Sequence, residues 1–156
     1  MKKSLIILAA AICFAACNQN EPDHSEEQKT NFAAAKYFEA LGTNNVPMEN
    51  FSLDSVRVEA VVTSDTTLDI CLYQISFSPK MPVTIDMVIP HVTYTRTDNE
   101  LKLSADNIAP TMGGKPFDKY TITQLNGYIT PDSIVFTNNY GTYSDCSYRG
   151  AVTQFK

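Results

Sequence analysis

The chain has 156 residues, with 12 basic and 17 acidic side chains and a net charge of −5, a size that suits one domain around one core. No basic cluster occurs, so the sequence lacks the phosphate-neutralising patch that nucleic-acid binding needs. The two histidines, His24 and His91, have no cysteine or carboxylate at ligand spacing, so the sequence offers no metal centre and points to no cofactor.

Lys2 and Lys3 open the chain, and Leu5 to Ala16 (LIILAAAICFAA) form an unbroken apolar run. A membrane-spanning helix takes roughly 20 such residues. This shorter run fits the apolar region of a signal peptide over residues 1–16. Ala15 and Ala16 stand before Cys17, and the run stops at Asn18. The pattern resembles a bacterial lipobox, in which cleavage precedes a diacylated cysteine, with Phe14 where leucine is usual. Ordinary signal-peptidase cleavage and an uncleaved anchor are the competing readings. Palmitate-type chains on Cys17 would hold the protein at a membrane, each buried CH₂ contributing about 0.8 kcal/mol, with residues 17–24 as tether. The acidic stretch NQNEPDHSEE resembles the export signal of lipoproteins of Bacteroidetes-type bacteria. That likeness implies an outer-membrane, lipid-anchored location on the periplasmic or cell-surface face. Loss of the leader removes Lys2 and Lys3 and no acid, leaving a net charge of −7.

Ser25 and Gln28 form a capping box, and Glu26 and Glu27 suit the first turn of a helix. Ala34, Tyr37, Phe38 and Leu41 follow at i, i+3, i+4 and i+7, with Gly42 as a C-cap. The spacing predicts one N-terminal helix over 25–42 that docks its apolar stripe, on the outside of the domain or as a lid at a cavity mouth.

From Phe51 the period changes to two. Val56, Val58, Ala60 and Val62 alternate with Arg57 and Glu59. Cys71, Tyr73, Ile75 and Phe77 alternate with Gln74 and Ser76, and Val83, Ile85, Met87 and Ile89 with Thr84 and Asp86. Val92, Tyr94 and Arg96, then Leu101 and Leu103, Tyr120, Ile122 and Tyr128, Ile134 and Phe136, and Tyr143 and Tyr148 continue the pattern. Such periodicity in β-branched and aromatic residues marks strands. Breakers fall at Ser64-Asp65, Ser78-Pro79, Asp98-Asn99, Thr130-Pro131-Asp132 and Asn138-Asn139, and Pro90 belongs at a bulge or edge. Asp106 to Asp118 reads as one crossover loop or rim, in which Gly113-Gly114-Lys115 is a tight turn and not a phosphate cradle, since Pro116 follows. About eight strands result. The fold class is all-β: an eight-stranded antiparallel up-and-down, lipocalin-like barrel over 51–156, preceded by the helix. A sandwich is the alternative.

SPKMPVTIDMVIPHV, NIAPTMGGKPFDKYTI, LNGYITPDSIVF and YSDCSYRG resemble the calycin-like (lipocalin-like) β-barrel lipoproteins of Bacteroidetes. The matching residues are Met81-Pro82, Pro110, Tyr120, Gly127, Asp132-Ser133 and Gly150, within residues 51–152. The resemblance implies a secreted or lipid-anchored barrel and carries no catalytic residues. The Gly-x-Trp of true lipocalins is absent, as the chain has no Trp. Asp54-Ser55-Val56, Asp65-Thr66-Thr67 and Asp132-Ser133-Ile134 resemble the O-glycosylation sequon of the same bacteria, with Ser55, Thr66 and Ser133 as acceptors; ordinary turn chemistry explains them equally.

Two functions compete. In one, the barrel holds a small apolar or amphiphilic ligand, lined by Tyr73, Phe77, Met87, Tyr94, Ile122, Tyr128 and Phe136. In the other, these side chains fill the barrel, and its loops or outer face contact an envelope protein or a glycan, peptidase inhibition included. An enzyme is not expected. Asp69 and Asp86 could meet as a carboxylate pair, but exposed strand faces explain both. Cys71 and Cys146 would bridge only with Cα atoms within about 7 Å.

Overall fold

The computed structural model describes residues 31–156; the leader, Cys17 and the tether lie outside the described residues. The strands are β1 (Tyr37–Val46), β2 (Phe51–Val62), β3 (Thr67–Ile75), β4 (Ile85–Arg96) and β5 (Leu101–Ala105), then β6 (Thr111–Met112) and β7 (Lys115–Pro116), then β8 (Ile122–Ile129), β9 (Ser133–Tyr140) and β10 (Tyr143–Phe155). Eight of them close in the order β1-β2-β3-β4-β5-β8-β9-β10, with β10 returning to β1 and every pairing antiparallel. The result is a closed up-and-down barrel, which leaves no sandwich and no long open edge. The β6–β7 hairpin is an excursion within the β5–β8 connection; Gly113 and Gly114, at φ 57° and 76°, make its two-residue turn.

The N-terminal helix is corrected. Among the described residues of that segment, 31–34 are helical, and Tyr37 to Leu41 belong to β1, as does Gly42. Ser25 to Thr30 lie outside the described residues. The same residues carry a second pattern of period two: Phe38, Ala40, Asn44 and Val46 are buried, and Leu41 is left exposed. A short helix is only marginally stable by propensity. A strand pairing with β2 on one side and β10 on the other satisfies its whole backbone and closes the barrel. The barrel therefore begins at Tyr37, not at Phe51, and residues beyond Phe51 supply seven of its strands. Asn138-Asn139 is also no breaker; it lies inside β9, and the turn comes at Gly141.

Five non-glycine residues within the wall have left-handed backbone: Ser55, Gln74, His91, Gln124 and Asp145, at φ 53–59°. Each sits where the register slips by one residue, so each is a β-bulge. Pro90, next to His91, thus lies at a bulge as expected. Four bulge amides are held by a side chain from the neighbouring strand or its end. Asp86 accepts from Gln74 N–H (2.8 Å), Asp69 from His91 (2.9 Å), Asp106 from Gln124 (3.0 Å) and Asn139 from Asp145 (3.0 Å). The carboxylates of Asp69 and Asp86 therefore each fasten a separate bend of the barrel wall.

Inside, two rings need a missing Cβ beside them. A Cβ on Gly150 would lie 2.3 Å from the Tyr148 hydroxyl, and one on Gly127 2.5 Å from the Phe136 Cβ. The rings of Tyr148 and Phe136 stack at 5.3 Å, and the Tyr148 hydroxyl donates to the Val56 carbonyl at 3.1 Å, beside the Ser55 bulge. Outward positions carry Arg57, Glu59, Asp69, Asp86, Lys102 and Arg149. This is the inverse of the apolar-out wall of a membrane-spanning barrel.

Candidate functional site

The barrel interior is the first place to look. Of the seven candidate lining residues, Phe77, Met87, Tyr94, Ile122 and Phe136 are buried there. They are packed by equally large neighbours: Leu68, Ile70, Leu72, Ile75, Ile89, Tyr140 and Tyr148 are all fully buried. Eight strands leave room for side chains or one small ligand, and here side chains of Leu, Ile, Phe and Tyr occupy the centre. Phe77 is enclosed by Tyr120, Tyr140 and Tyr143, at ring distances of 4.6, 4.6 and 5.6 Å.

Tyr73 and Tyr128 do not line the interior. Both are half-buried on the outer wall. Tyr73 changes face because the bulge at Gln74 shifts the phase of β3: Leu72 and Ile75 point in, so Cys71 and Tyr73 point out. Tyr128 lies between the inward-facing Leu125 and Ile129. Cys71 and Cys146 are both free thiols, one on the outer side of β3 and the other buried within β10.

Tyr73 instead belongs to a polar assembly on the outer wall across β10, β1, β2 and β3. The Arg57 guanidinium lies 3.8 Å from the centroid of the Tyr73 ring. It donates to Glu59 at 2.6 Å and stands 3.7 Å from Glu39. Tyr73 donates to Glu59 at 2.7 Å and Tyr37 to Glu39 at 3.0 Å; Thr153 and Gln154 also donate to Glu39. The parity of the strands arranges this. Glu39 and Glu59 are direct cross-strand partners, as are Arg57 and Tyr73. The hydrogen bond to Glu59, with partial burial, pushes the Tyr73 phenol up to about 12. The donors Thr153 and Tyr37, and then Gln154 and Arg57, hold the Glu39 carboxyl below the usual range.

Beside this assembly is a cleft of about 400 Å³ lined by Ser55, Arg57, Tyr73, Gln74 and Asp86. Two bulges, at Ser55 and Gln74, bend the wall to form it. The guanidinium is stacked on one side and tied to carboxylates, so its position is set before any partner arrives. Arg57, Glu39, Glu59 and Asp86 together leave the patch net negative. Such a surface can exchange hydrogen bonds with a polar neutral or cationic partner; both glutamates are already engaged by donors. The sequence reading placed Arg57 and Glu59 on one face of β2 but gave them no role. Their only signal was the Arg-x-Glu spacing opposite the later Tyr73, legible once the pairing of β2 with β3 is known.

The three sequon-like hydroxyls are scattered. Ser55 is exposed at the rim of this cleft, Thr66 is exposed in the β2–β3 turn, and Ser133 is half-buried with its Oγ 3.1 Å from Thr130 Oγ1. Among the described residues no helix is long and apolar enough to cross a membrane, and no three His, Cys, Asp or Glu residues cluster as metal ligands. The fold is thus a closed antiparallel barrel with a side-chain-filled interior and a polar cleft in its wall. No family model, curated protein or solved structure matches the chain.

Proposed function

We propose that this protein is a cell-envelope lipoprotein, anchored through acylated Cys17 to the outer membrane, whose barrel is an interaction module working from its outer surface. One observation carries the choice over an internal apolar ligand: the residues that would line such a site are packed against one another with no exposed surface. Phe77, Met87, Ile122 and Phe136 are 0–1% exposed. The lipobox-like Cys17, the acidic tether and the likeness to calycin-like lipoproteins support the address. The wall cleft supports the mode of action. Its ordered Arg57–Tyr73 stack suits a neutral, hydroxyl-rich partner such as a surface glycan, since an anionic ligand would meet Asp86 in the cleft and Glu59 and Glu39 beside it. Ser55 and Thr66, both exposed, are the better placed O-glycosylation sites; the Ser133 hydroxyl already sits against Thr130.

Native mass spectrometry of the protein purified from its own membrane tests this reading. The expected mass is the chain plus its acyl groups, and Cys17→Ser removes the latter. A reproducible apolar guest released from the folded barrel would reverse the choice. Glycan-array binding that is unchanged by Arg57→Ala and Tyr73→Ala would remove the cleft from it.

A further inference from the structure

The outer wall divides by charge. Strands β1, β2 and β3 carry Glu39, Asp54, Glu59 and Asp69, whereas β5, β8 and β9 contain no Asp or Glu. The acids of that second half, Glu100, Asp106, Asp132 and Asp145, stand at or near strand ends. Among the described residues the ion pairs are those of Arg57 with Glu39 and Glu59. The exposed Lys102 and Arg149 therefore have no carboxylate partner there.

Register places these two cations in one row. Lys102 pairs with Tyr128, Tyr128 with Val135, and Val135 with Arg149. Direct cross-strand partners project from the same face of a sheet, and Tyr128 and Val135 are half-buried between the two charges. The next row is uncharged throughout. Thr93 pairs with Ser104, Ser104 with Asn126, Asn126 with Thr137 and Thr137 with Ser147. Thr93 donates its hydroxyl to the Ser104 carbonyl, which fixes the hydroxyl and leaves its oxygen free to accept. At the β4 end both rows border a depression of about 310 Å³ lined by Thr93, Tyr94, Thr95, Lys102 and Ser104.

The two rows call for different groups on one ligand. An ammonium and a guanidinium without a counter-charge attract anions, and they do so here on a chain that is acidic as a whole. Three strand spacings separate them, about 14 Å along the curved wall. A small anion meets one of them; an extended chain of repeating anions meets both. Ser, Thr and Asn side chains both donate and accept, which matches a ligand rich in hydroxyls. Tyr128 adds an apolar ring with a polar tip. A nucleic-acid backbone takes more cations than these two, and a lipid surface takes projecting apolar side chains, which neither row supplies.

We propose that the wall from the Lys102 depression across β5, β8 and β9 to Arg149 on β10 binds an acidic polysaccharide, a chain of sugars bearing carboxylate or sulfate groups. The inference is independent of the cleft between β2 and β3, whose carboxylates would repel such a chain.

Amide chemical shifts of the Cys17→Ser chain, titrated with polygalacturonate, dextran sulfate and neutral dextran, test it. Shifts are expected with at least one acidic polymer, concentrated in β5, β8, β9 and around Arg149. They should be reversed by added salt and absent with dextran. The tighter of the two acidic polymers identifies the anion as carboxylate or sulfate. Lys102→Gln and Arg149→Gln should each weaken binding about two- to fivefold, the scale of one exposed charge pair. Lys80→Gln removes the same charge from the 76–84 loop, and Arg57→Ala alters the cleft; both should leave the binding unchanged. An equal loss in Lys80→Gln would reduce the effect to net charge and overturn the proposal. Absence of shifts with both acidic polymers at low salt would do the same, as would shifts centred on another face, or duplex DNA binding more tightly than either polysaccharide.

Discussion

The two ends of the barrel are built differently. At one end the chain turns within a few residues: 63–66 between β2 and β3, 97–100 between β4 and β5, and 130–132 between β8 and β9. Hydroxyls tie these turns. Ser64 Oγ accepts from the amides of Thr66 and Thr67, Thr97 Oγ1 donates to the Glu100 carbonyl, and Thr130 Oγ1 accepts from Ser133 N–H. The mouth is sealed by Phe32, which meets Phe38 at 5.3 Å and Phe155 at 5.8 Å. Arg96 locks this strap by donating to the carbonyls of Phe32, Ala33 and Ala35, at 3.0, 2.7 and 2.8 Å. At the other end lie the longer connections 76–84 and 106–121, and the exposed Met48, Val83 and Met112. The chain enters the barrel at the sealed end, where β1 begins at Tyr37. One end is thus committed to closing the fold, while the other carries apolar surface that the fold does not need.

The largest expected effect tests the seal. Phe32 is fully buried between two rings, and a Phe→Ala change in such a site costs about 3–5 kcal/mol, the lost transfer energy plus the cavity left behind. Urea unfolding of Phe32→Ala should show a loss in this range. A loss below about 1 kcal/mol would mean that the strap rests on the barrel without sealing it.

Arg96→Met comes next. It keeps an unbranched apolar stem and removes three charge-assisted hydrogen bonds to carbonyls. Bonds to charged groups are worth about 1.5–3 kcal/mol each, less where solvent competes, and Arg96 is only half-buried. A loss of about 2 kcal/mol is expected, with faster amide exchange confined to residues 31–37 and to the neighbouring end of β10. Exchange that accelerates equally at the long-loop end would show that the ends are coupled.

How far this contrast was legible in the sequence depends on the element. The period-two runs in β2 and β4 announced their inward faces, and Ser64-Asp65, Asp98-Asn99 and Thr130-Pro131-Asp132 announced the tight turns, because short hydroxyl and carboxamide side chains favour them locally. Tyr37 to Leu41 was misread since Ala34, Tyr37, Phe38 and Leu41 satisfy a helical stripe while Phe38, Ala40, Asn44 and Val46 satisfy a strand. Only the unpaired edges of β2 and β10 decide between them, and those are nonlocal. Tyr73 was placed on the wrong face because a bulge inverts the phase of alternation, and no residue type marks Gln74 as a bulge. The wall cleft inherits that error. The buried Asn44 falls between the helix expected over 25–42 and the strands expected from Phe51, a stretch to which the sequence pattern assigns no element.

The thiols extend the contrast to pH. Burial, with a smaller contribution from Asp145, pushes the Cys146 thiol up to about 11 from its ordinary 9.0. Its proton leaves the unfolded chain first as pH rises. The thiol's contribution to stability is therefore complete below pH 9 and is lost between pH 9 and about 11. Cys71, half-buried on the outer wall, is also raised, by burial first and then by Glu59 and Asp69. Iodoacetamide at pH 8 should label Cys71 slowly and Cys146 only on unfolding. Labelling of Cys146 as fast as Cys71 in the folded protein would show that the interior under the long loops opens to solvent.

The smallest effect is expected where the apolar surface is most exposed. Val83, in the 76–84 loop, is 64% exposed, whereas Val58 on β2 is fully buried. Burial is what makes an apolar side chain stabilising, at roughly 25 cal/mol per Å² removed from water, and Val83 removes little. Val83→Ser should therefore change unfolding free energy by no more than about 0.5 kcal/mol, the usual range for a surface position. Val58→Ser should cost several times more, since it both empties a core site and buries a hydroxyl. Measured side by side in urea, the pair separates packing from exposure for the same residue type. A loss at Val83 comparable to that at Val58 would mean that the 76–84 loop folds down onto the barrel in solution, and the long-loop end would then be closed by the fold as the other end is.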